Sequence, residues 1–228
     1  MSDDLFDLEF AENADPRCAV SLILDVSDSM GQPTADGKIP IDELNSALDI
    51  LVSELNKDPL AKRRVEVSIV TYGTEVSEPT EFATVDNLVL PTLVTSGVTS
   101  TGKAVETAME SIKERSKTYK ENGIERFRPW ALLLSDGLAT DDISKATKLV
   151  KEMEKKKQVS FFSVGIEGAD LEQLSKFSDT RPALGLREMD FASLFTWLSA
   201  SQAAVSASNP GEGGVKVPSP AGWAEIDV

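Results

Sequence analysis

The sequence predicts a doubly wound α/β domain, in which helices cover both faces of a mostly parallel six-stranded sheet with one antiparallel edge strand. Short apolar runs that suit buried strands alternate along the chain with segments of helical periodicity, and this alternation is typical of parallel sheets. The chain has 228 residues, of which 41% are hydrophobic and 27% are charged, as in ordinary globular proteins. A chain of this length can bury a sizeable core without disulfides or a structural zinc ion.

The first half of the predicted domain contains a buried strand, a helix and a hairpin. Ala19–Val26 is a nearly continuous apolar run, which indicates a strand buried on both faces. Val65–Tyr72 and Glu75–Phe82 are predicted to form the hairpin, with the second arm at an edge of the sheet because Pro79 lacks a backbone N–H. The helix between the strand and the hairpin carries one apolar stripe, made of Ile41, Leu44, Leu48, Leu51 and Leu55.

The second half alternates helices with two further strands. Trp130–Ser135 and Val159–Ile166 are the strands, and we expect Trp130–Ser135 to lie beside Ala19–Val26 in the centre of the sheet. Four helices are predicted here: one with the stripe Val105, Ala108, Met109, Ile112 and Tyr119 that runs to about Asn122, one capped by Thr140, and then Asp170–Phe177 and Asp190–Ala204.

Composition excludes several classes of function. The single cysteine, Cys18, excludes an intrachain disulfide and a thiolate metal cluster, and we expect it to be a small core residue. The absence of histidine excludes histidine-dependent catalysis and histidine metal sites. The formal net charge of −15 would repel phosphate backbones and anionic lipids, so we expect neither nucleic acid nor a membrane as a partner.

The two ends of the chain differ from its middle, which is predicted to be a domain spanning residues 17–204. Residues 1–16 contain six acids and no base, the opposite of a signal peptide, so we expect a cytoplasmic protein without membrane insertion. Leucine and phenylalanine are interleaved in this acidic segment, and both docking and disorder remain open for it. Residues 205–228 contain three prolines and four glycines, which predicts an irregular tail with Trp223 and Ile226 as candidate anchors.

Oxygen-bearing side chains follow the two central strands and also lie in a loop between them. The first strand ends in the pattern D-x-S-x-S, a glycine-containing loop contains a threonine, and Trp130–Ser135 is followed by an aspartate. Because ligands of doubly wound sheets bind beyond the carboxyl ends of the strands, we expect these side chains to face one crevice. Their donors are hard oxygens, which suit Mg²⁺, Mn²⁺ or Ca²⁺. The candidate metal-binding residues are Asp25, Ser27, Ser29, Thr99 and Asp136.

These three elements, in this order, resemble the von Willebrand factor A (VWA) domains that carry a metal-ion-dependent adhesion site (MIDAS). The resemblance covers roughly residues 17–204 and implies a Rossmann-like fold with a non-catalytic function. Such a module would bind a partner protein whose Asp or Glu carboxylate fills the sixth position of the metal. The implied roles are direct coordination by Ser27, Ser29 and Thr99, and contact largely through water by Asp25 and Asp136.

A second set of short motifs lies along the domain: Pro16-Arg17, Glu43-Leu44-Asn45, Arg128-Pro129-Trp130, Ser135-Asp136-Gly137 with Thr140-Asp141, Val164-Gly165, and Phe195-Thr196-Trp197-Leu198-Ser199. These motifs resemble the bacterial TerY-like (YegL-like) proteins, which accompany tellurite-resistance or stress systems. The resemblance implies a cytoplasmic stress protein whose partner is an associated kinase, phosphatase or other protein of such a system. Asp28 departs from the wider VWA family, which usually has glycine there; it adds charge near the ion but replaces no ligand.

Two other interpretations of the same residues remain open. In the simpler one, the hydroxyl residues only cap helices and the two aspartates are turn residues. In the other, Gly97–Lys103 fits the pattern G-x-x-x-x-G-K and Ala131–Asp136 fits the Mg²⁺-binding strand of a P-loop ATPase, which would make the protein a nucleotide-binding or hydrolysing enzyme. Ala104 stands where a P-loop has the serine or threonine that binds Mg²⁺, and this favours a binding module over an enzyme.

Overall fold

The computed structural model describes residues 10, 13–77, 80–166, 168–211 and 215–225. Within these residues, one sheet contains the strands β1 (Cys18–Asp25), β2 (Val65–Tyr72), β3 (Val76–Ser77), β4 (Ala83–Thr84), β5 (Trp130–Ser135), β6 (Ser160–Gly165), β7 (Leu184–Leu186) and β8 (Ala224–Glu225). The strand order is β3-β2-β1-β5-β6-β7-β8, and β4 also pairs with β2. The longer strands are parallel, whereas β3, β4 and β8 are short and antiparallel.

Helices connect the parallel strands and cover both faces of the sheet. On one face lie α1 (Pro40–Lys57) and α6 (Phe191–Ser206), and on the other lie α3 (Thr101–Glu121) and α4 (Ser144–Lys155). Two shorter helices are α2 (Pro59–Arg64) and α5 (Leu171–Ser175). The prediction of a doubly wound, mostly parallel α/β fold is confirmed.

Alternating side chains of β1 divide the core into two layers. Leu22 and Leu24 pack with α1 and α6, whereas Ala19 and Ile23 pack with α3 and α4. All residues of β1 are buried, as the two-residue period requires of a strand with helices on both faces. The loops at the carboxyl end of β1 therefore start from a closely packed base.

The strand order reverses between β1 and β5, which is the switch point of a doubly wound sheet. The two strands pair in parallel, with Leu22 opposite Leu132 and Leu24 opposite Leu134. The prediction that these strands are central neighbours is confirmed. The loops that follow β1 and β5 consequently leave from the same edge, where ligands of such sheets bind.

The sheet contains more strands than the six predicted. The predicted second arm of the hairpin, Glu75–Phe82, is divided into β3 and β4, which both pair antiparallel with β2. Between them the Thr80 hydroxyl accepts a hydrogen bond from Ile69 N at 2.8 Å, so a side chain takes the place of a backbone partner. Pro79 lies outside the described residues. At the other side, β7 and β8 are too short to produce a periodic signal in the sequence.

The carboxyl-terminal tail returns to the sheet. β8 pairs with β7, with Ala224 opposite Leu186. Trp223 is buried, and its ring centroid lies 5.3 Å from that of Trp197, so Trp223 anchors the tail as expected. Ile226, the other candidate anchor, lies outside the described residues. The helix that was predicted to end at Ala204 continues to Ser206.

One helix start and one additional helix also differ from the prediction. Thr140 does not cap a helix: α4 begins at Ser144, and the Thr140 hydroxyl donates to the Thr99 carbonyl at 3.0 Å instead. The short helix α2 was not predicted, although its start carries a recognisable signal. Asp58 accepts hydrogen bonds from two N–H groups of its first turn, and Pro59 occupies the first helical position, where the missing N–H costs nothing.

A buried charge network lies near the amino-terminal end of β2. Glu66 accepts hydrogen bonds from Arg17 Nε at 2.8 Å, from Arg115 Nε at 2.7 Å and from the Tyr119 hydroxyl. Phe10, from the acidic amino-terminal segment, packs over both guanidinium groups and is itself buried. Most of that segment lies outside the described residues, but at Phe10 it docks on the domain.

Cys18 is buried in the core, as expected, and burial raises the pKa of its thiol well above the ordinary value. None of the helices in the described part of the chain combines the length and the apolar character needed to cross a bilayer.

Candidate functional site

Four of the five candidate metal-binding side chains meet where β1 and β5 end. The Ser27 hydroxyl lies 3.0 Å from Ser29 Oγ and 3.5 Å from Asp136 Oδ1. Asp25 Oδ1 accepts a hydrogen bond from Ser27 N at 2.9 Å. Ser27 and Asp136 are 109 positions apart in sequence and meet because β1 and β5 are neighbours.

The Asp25 carboxyl is fully buried and hydrogen-bonded on both oxygens. Ser27 N donates to one oxygen, and Ser135 Oγ donates to the other at 3.1 Å. Burial, and after it the negative charge of Asp136, raises the pKa of Asp25 from 3.8 to about 6, although both hydrogen-bond donors act in the opposite direction. A carboxyl in this environment gains more from a nearby cation than an exposed one does.

Thr99 reaches the same edge of the sheet through its backbone. Its carbonyl accepts hydrogen bonds from Thr140 N at 2.9 Å and from Thr140 Oγ1 at 3.0 Å. Two residues earlier, Gly97 N donates to Asp28 Oδ1 at 2.7 Å, and Gly97 O accepts from Asp28 N at 2.9 Å. The loop is therefore held beside the D-x-S-x-S segment. Within the described residues, however, the Thr99 hydroxyl makes no hydrogen bond with the other four candidates.

Two acidic side chains hold the loops of the site together. Asp28, which the sequence suggested would only add charge, bonds to the loop of Thr99 through Gly97 N. Asp141 accepts hydrogen bonds from Gly102 N at 3.0 Å and from Lys103 N at 2.9 Å. These amides lie in the first turn of α3, so the Asp141 carboxylate satisfies donors that have no partner within the helix.

The same hydrogen bonds argue against the P-loop interpretation. A P-loop binds phosphate through backbone N–H groups of its glycine-rich loop. In this chain the N–H groups of Gly97, Gly102 and Lys103 already donate to carboxylates, which would also repel a phosphate. Close packing explains the glycine at position 102 instead, because a Cβ there would lie 2.7 Å from the carbonyl oxygen of Asp142.

The capping interpretation explains only part of the site. Ser27 precedes a 3₁₀ turn, Asp28–Gly31, but its hydroxyl makes no capping hydrogen bond. Ser100, rather than Thr99, precedes α3. Asp25 does act as a turn residue, through its bond to Ser27 N, yet neither capping nor turn formation accounts for the contact between the two serine hydroxyls.

The chemistry of the donors fits a divalent cation bound by hard oxygens. Asp25 and Asp136 place two carboxylates close together, and no lysine or arginine in the described ranges donates a hydrogen bond to either. Nowhere in those ranges do three Cys, Asp or Glu side chains form a group that could hold a metal ion. A metal at this edge would therefore depend on the serine and threonine hydroxyls, which suit Mg²⁺, Mn²⁺ or Ca²⁺.

Comparison with known families agrees with this geometry. The profile of the von Willebrand factor type A domain matches residues 20–196. The chain belongs to the VWA domain family. Among curated proteins, by contrast, none is significantly similar to it.

Solved structures with the VWA fold cover most of the chain. The PilB minor pilin from Streptococcus sanguinis is 14% identical, with a TM-score of 0.62 over 86% of this chain and 64% of the pilin. The SpRpn10 VWA domain is 15% identical, with a TM-score of 0.54 over 78% of this chain and 93% of that domain. Proximal thread matrix protein 1 from the mussel byssus, with a zinc-occupied MIDAS motif, is 12% identical, with a TM-score of 0.56 over 84% and 49%.

These identities show a shared fold alone. This VWA chain also spans less than two thirds of the length of the pilin and of the byssus protein.

Two residues behind the site were missed in the sequence. Ser135 bonds to Asp25, and its signal was a polar residue at the end of an otherwise apolar strand, directly before Asp136. Tyr72 is fully buried and its hydroxyl donates to Leu134 O at 2.8 Å. Burial, and then the charge of Asp25, raises the pKa of Tyr72 well above its ordinary value, so this side chain stays neutral.

Proposed function

We propose that this VWA domain is a non-catalytic protein-binding module that engages its partner through a divalent metal at the carboxyl ends of β1 and β5. The observation that carries the proposal is the contact of Ser27 with both Ser29 and Asp136, above the buried carboxyl of Asp25. The competing enzyme interpretation is weakened because the amides of its phosphate cradle already donate to Asp28 and Asp141.

The residues proposed to hold the metal divide into two groups by charge. The hydroxyls of Ser27, Ser29 and Thr99 would contact the ion directly, and the carboxylates of Asp25 and Asp136 would act largely through water. The two carboxylates balance the charge of a divalent ion, while the neutral hydroxyls leave it able to attract a further anion. We propose Mg²⁺ as the resident ion, with Mn²⁺ or Ca²⁺ as alternatives, because all donors are hard oxygens.

The partner is proposed to present an aspartate or glutamate to the metal. Asp28 and Asp141 lie on loops that hydrogen-bond to the segment of Thr99, Asp142 follows Asp141, and without a cation these acids would repel that carboxylate. A bound divalent ion supplies positive charge at this point and reverses the local sign. Removing the metal should therefore weaken partner binding by much more than the loss of one exposed ion pair, which contributes about 0–1 kcal/mol.

Capture from a native lysate tests this proposal. The immobilised protein is incubated in Mg²⁺ or in chelator, and the proteins retained are identified by mass spectrometry. We expect a partner retained only with Mg²⁺ and lost in both Asp25→Ala and Ser27→Ala. The matched control is Ser46→Ala, which removes an exposed hydroxyl on α1 and should leave capture intact. Undiminished capture by Asp25→Ala in chelator would exclude a metal-mediated mechanism.

Two further variants separate binding from catalysis. Thr99→Ala should weaken partner capture more than metal binding, if its hydroxyl enters the coordination shell when the partner binds. Lys103→Ala should have little effect, because Lys103 contributes a backbone N–H that alanine retains. Turnover of Mg·ATP that Lys103→Ala abolishes would instead support the P-loop enzyme.

We also propose that the protein serves a bacterial tellurite-resistance or stress system in the cytoplasm, with an associated kinase, phosphatase or other system protein as partner. The support is the set of TerY-like motifs, including Arg128-Pro129-Trp130 and Phe195–Ser199. Deletion of the gene should sensitise the source cell to tellurite, and wild-type protein but not Ser27→Ala should restore resistance. Equal rescue by both proteins would separate that role from the metal site.

A further inference from the structure

A cavity lies at the opposite end of the sheet from the candidate metal site. Its volume is about 730 Å³, which is within the range of small-molecule sites. Trp130 and Ser160, at the amino ends of β5 and β6, line it together with Val205 near the end of α6. Since six-residue strands rise about 3.3 Å per residue, about 20 Å separates this cavity from the cluster around Ser27.

Four cationic side chains line the cavity, although the protein as a whole carries a net charge of −15. Arg181 pairs with Glu154 at 2.7 Å, whereas Arg126, Arg128 and Lys157 form no ion pair with any described residue. Glu154 does not line the cavity, and no acidic residue is among the described lining residues. Such a concentration of positive charge on an acidic protein favours a ligand with more than one negative charge.

The backbone of Lys157 supports a functional interpretation of its ammonium group. Its φ is 56°, a left-handed conformation in which glycine is usual and a lysine is disfavoured. A cation near the carboxyl end of α4 is favourable, but Lys155 and Lys156 already supply one. Lysine at this position therefore costs backbone strain, and the need for a cation at the helix end does not explain that cost. A role for its positive charge at the cavity does.

The floor of the cavity is apolar and aromatic. The ring centroids of Trp130 and Phe162 lie 4.6 Å apart, and Phe162 is half-buried. The Arg181 guanidinium lies 5.0 Å from the centroid of Phe162. Val215 and Val217 of the tail line another side. A ligand that fits both features has an apolar body beside the aromatic rings and an anionic group among the cations.

We infer that this cavity binds a small organic phosphate, with its ring or aliphatic body against Trp130 and Phe162 and its phosphate between Arg126, Arg128 and Lys157. Arginine offers two parallel N–H donors to phosphate oxygens, and lysine adds a point charge. The cavity is bounded by the sheet, the end of α6 and the tail, so it suits a compact molecule better than an extended chain. The site is independent of the metal-dependent function proposed above.

The protein contains its own optical reporter for this site. It has three tryptophans, and all three belong to one aromatic cluster. The ring centroid of Trp197 lies 6.0 Å from that of Trp130 and 5.3 Å from that of Trp223. Intrinsic fluorescence is therefore titrated with inorganic phosphate, phenyl phosphate and AMP, in chelator so that the metal site cannot contribute. We expect saturable responses, with phenyl phosphate and AMP binding about tenfold more tightly than inorganic phosphate, because their rings bury apolar surface.

A charge-matched pair of double variants locates the response. Arg128→Gln with Lys157→Gly removes two cations from the cavity, and glycine suits the backbone at 157, so the fold should be kept. This variant should lose about tenfold or more in affinity for all three probes. The control, Lys113→Gln with Lys148→Gln, removes two exposed cations from α3 and α4 and should bind as the wild type does.

Three results would overturn the inference. The first is equal affinity of the two double variants for phenyl phosphate and AMP. The second is a response to AMP that requires Mg²⁺ and disappears in Ser27→Ala, which would place binding at the metal site. The third is binding of a phosphopeptide with no response to any of the small phosphates, which would indicate a protein partner instead.

Discussion

The buried carboxyl of Asp25 leads to the prediction that, without divalent metal, the protein loses stability between about pH 5 and about pH 8. The pKa of this group is about 6 in the folded protein, against an ordinary value of 3.8. Because folding raises the pKa, the native state holds this proton more tightly than the unfolded chain does. The resulting stabilisation is complete below about pH 3.8 and is lost as the pH rises through about 6.

The magnitude follows from the two pKa values. The interval from 3.8 to about 6 corresponds to about 3 kcal/mol, which is the cost of ionising the buried group once the pH exceeds 6. By about pH 5, part of that cost is already present, since the unfolded chain is then ionised and the native protein is not. The group should therefore make the protein about 1.4 kcal/mol more stable at pH 5 than at pH 8.

Asp25→Asn isolates this contribution, because its amide does not titrate and its oxygen can still accept from Ser27 N. Urea unfolding in chelator is measured at several pH values for both proteins. The stability of the variant relative to the wild type should rise by about 1.4 kcal/mol between pH 5 and pH 8. Added Mg²⁺ should stabilise the wild type but not Asp25→Asn. Asp49→Asn, an exposed change on α1, should match the wild type in both its pH dependence and its gain from Mg²⁺.

A difference between Asp25→Asn and wild type that stays constant from pH 5 to pH 8 would refute the argument from burial. An equal gain from Mg²⁺ in both proteins would refute the contribution of Asp25 to metal binding.

Three other changes test particular contacts. Glu66→Gln should destabilise the protein by about 3–5 kcal/mol in urea unfolding, because Arg17 and Arg115 lose the buried charge that compensates them. Trp223→Ala should cost about 3 kcal/mol in the same assay and release β8 from the sheet, as hydrogen exchange would detect. Asp28→Gly restores the residue usual in the family but removes a charged hydrogen bond between two loops, so calorimetry should show about fivefold weaker Mg²⁺ binding, or about 1 kcal/mol.

The central part of the fold could be predicted because its signals are local and long. Ala19–Val26 and Trp130–Ser135 are apolar runs typical of strands buried on both faces, and they were expected to be neighbours at the switch point of a doubly wound sheet, where they do pair. The edges could not be predicted. β7 and β8 contain three and two residues, so their existence depends on neighbouring backbone rather than on their own pattern.

The candidate site was likewise predictable only in part. Its oxygen donors could be selected because the turn after each central strand is visible in the sequence. The hydrogen bonds of Asp28 to Gly97 and of Asp141 to Gly102 could not, because they join positions 69 and 39 residues apart. The cationic cavity was not predicted either, because segments far apart in the sequence form it: the starts of β5 and β6, the end of α6 and the tail.

Two buried carboxyl groups of this protein differ in whether a positive charge lies beside them, and this difference bears on function. Glu66 is fully buried but lies between Arg17 and Arg115, so its charge is compensated within the fold. Asp25 is equally buried, yet its charged neighbour is Asp136, and burial together with that neighbour raises its pKa. The two arginines beside Glu66 show that a buried acid can be compensated within this fold, and Asp25 lacks such a partner among the described residues. Leaving Asp25 uncompensated is costly whenever its carboxyl is ionised, and an added cation would remove that cost, which is why we propose the functional metal there.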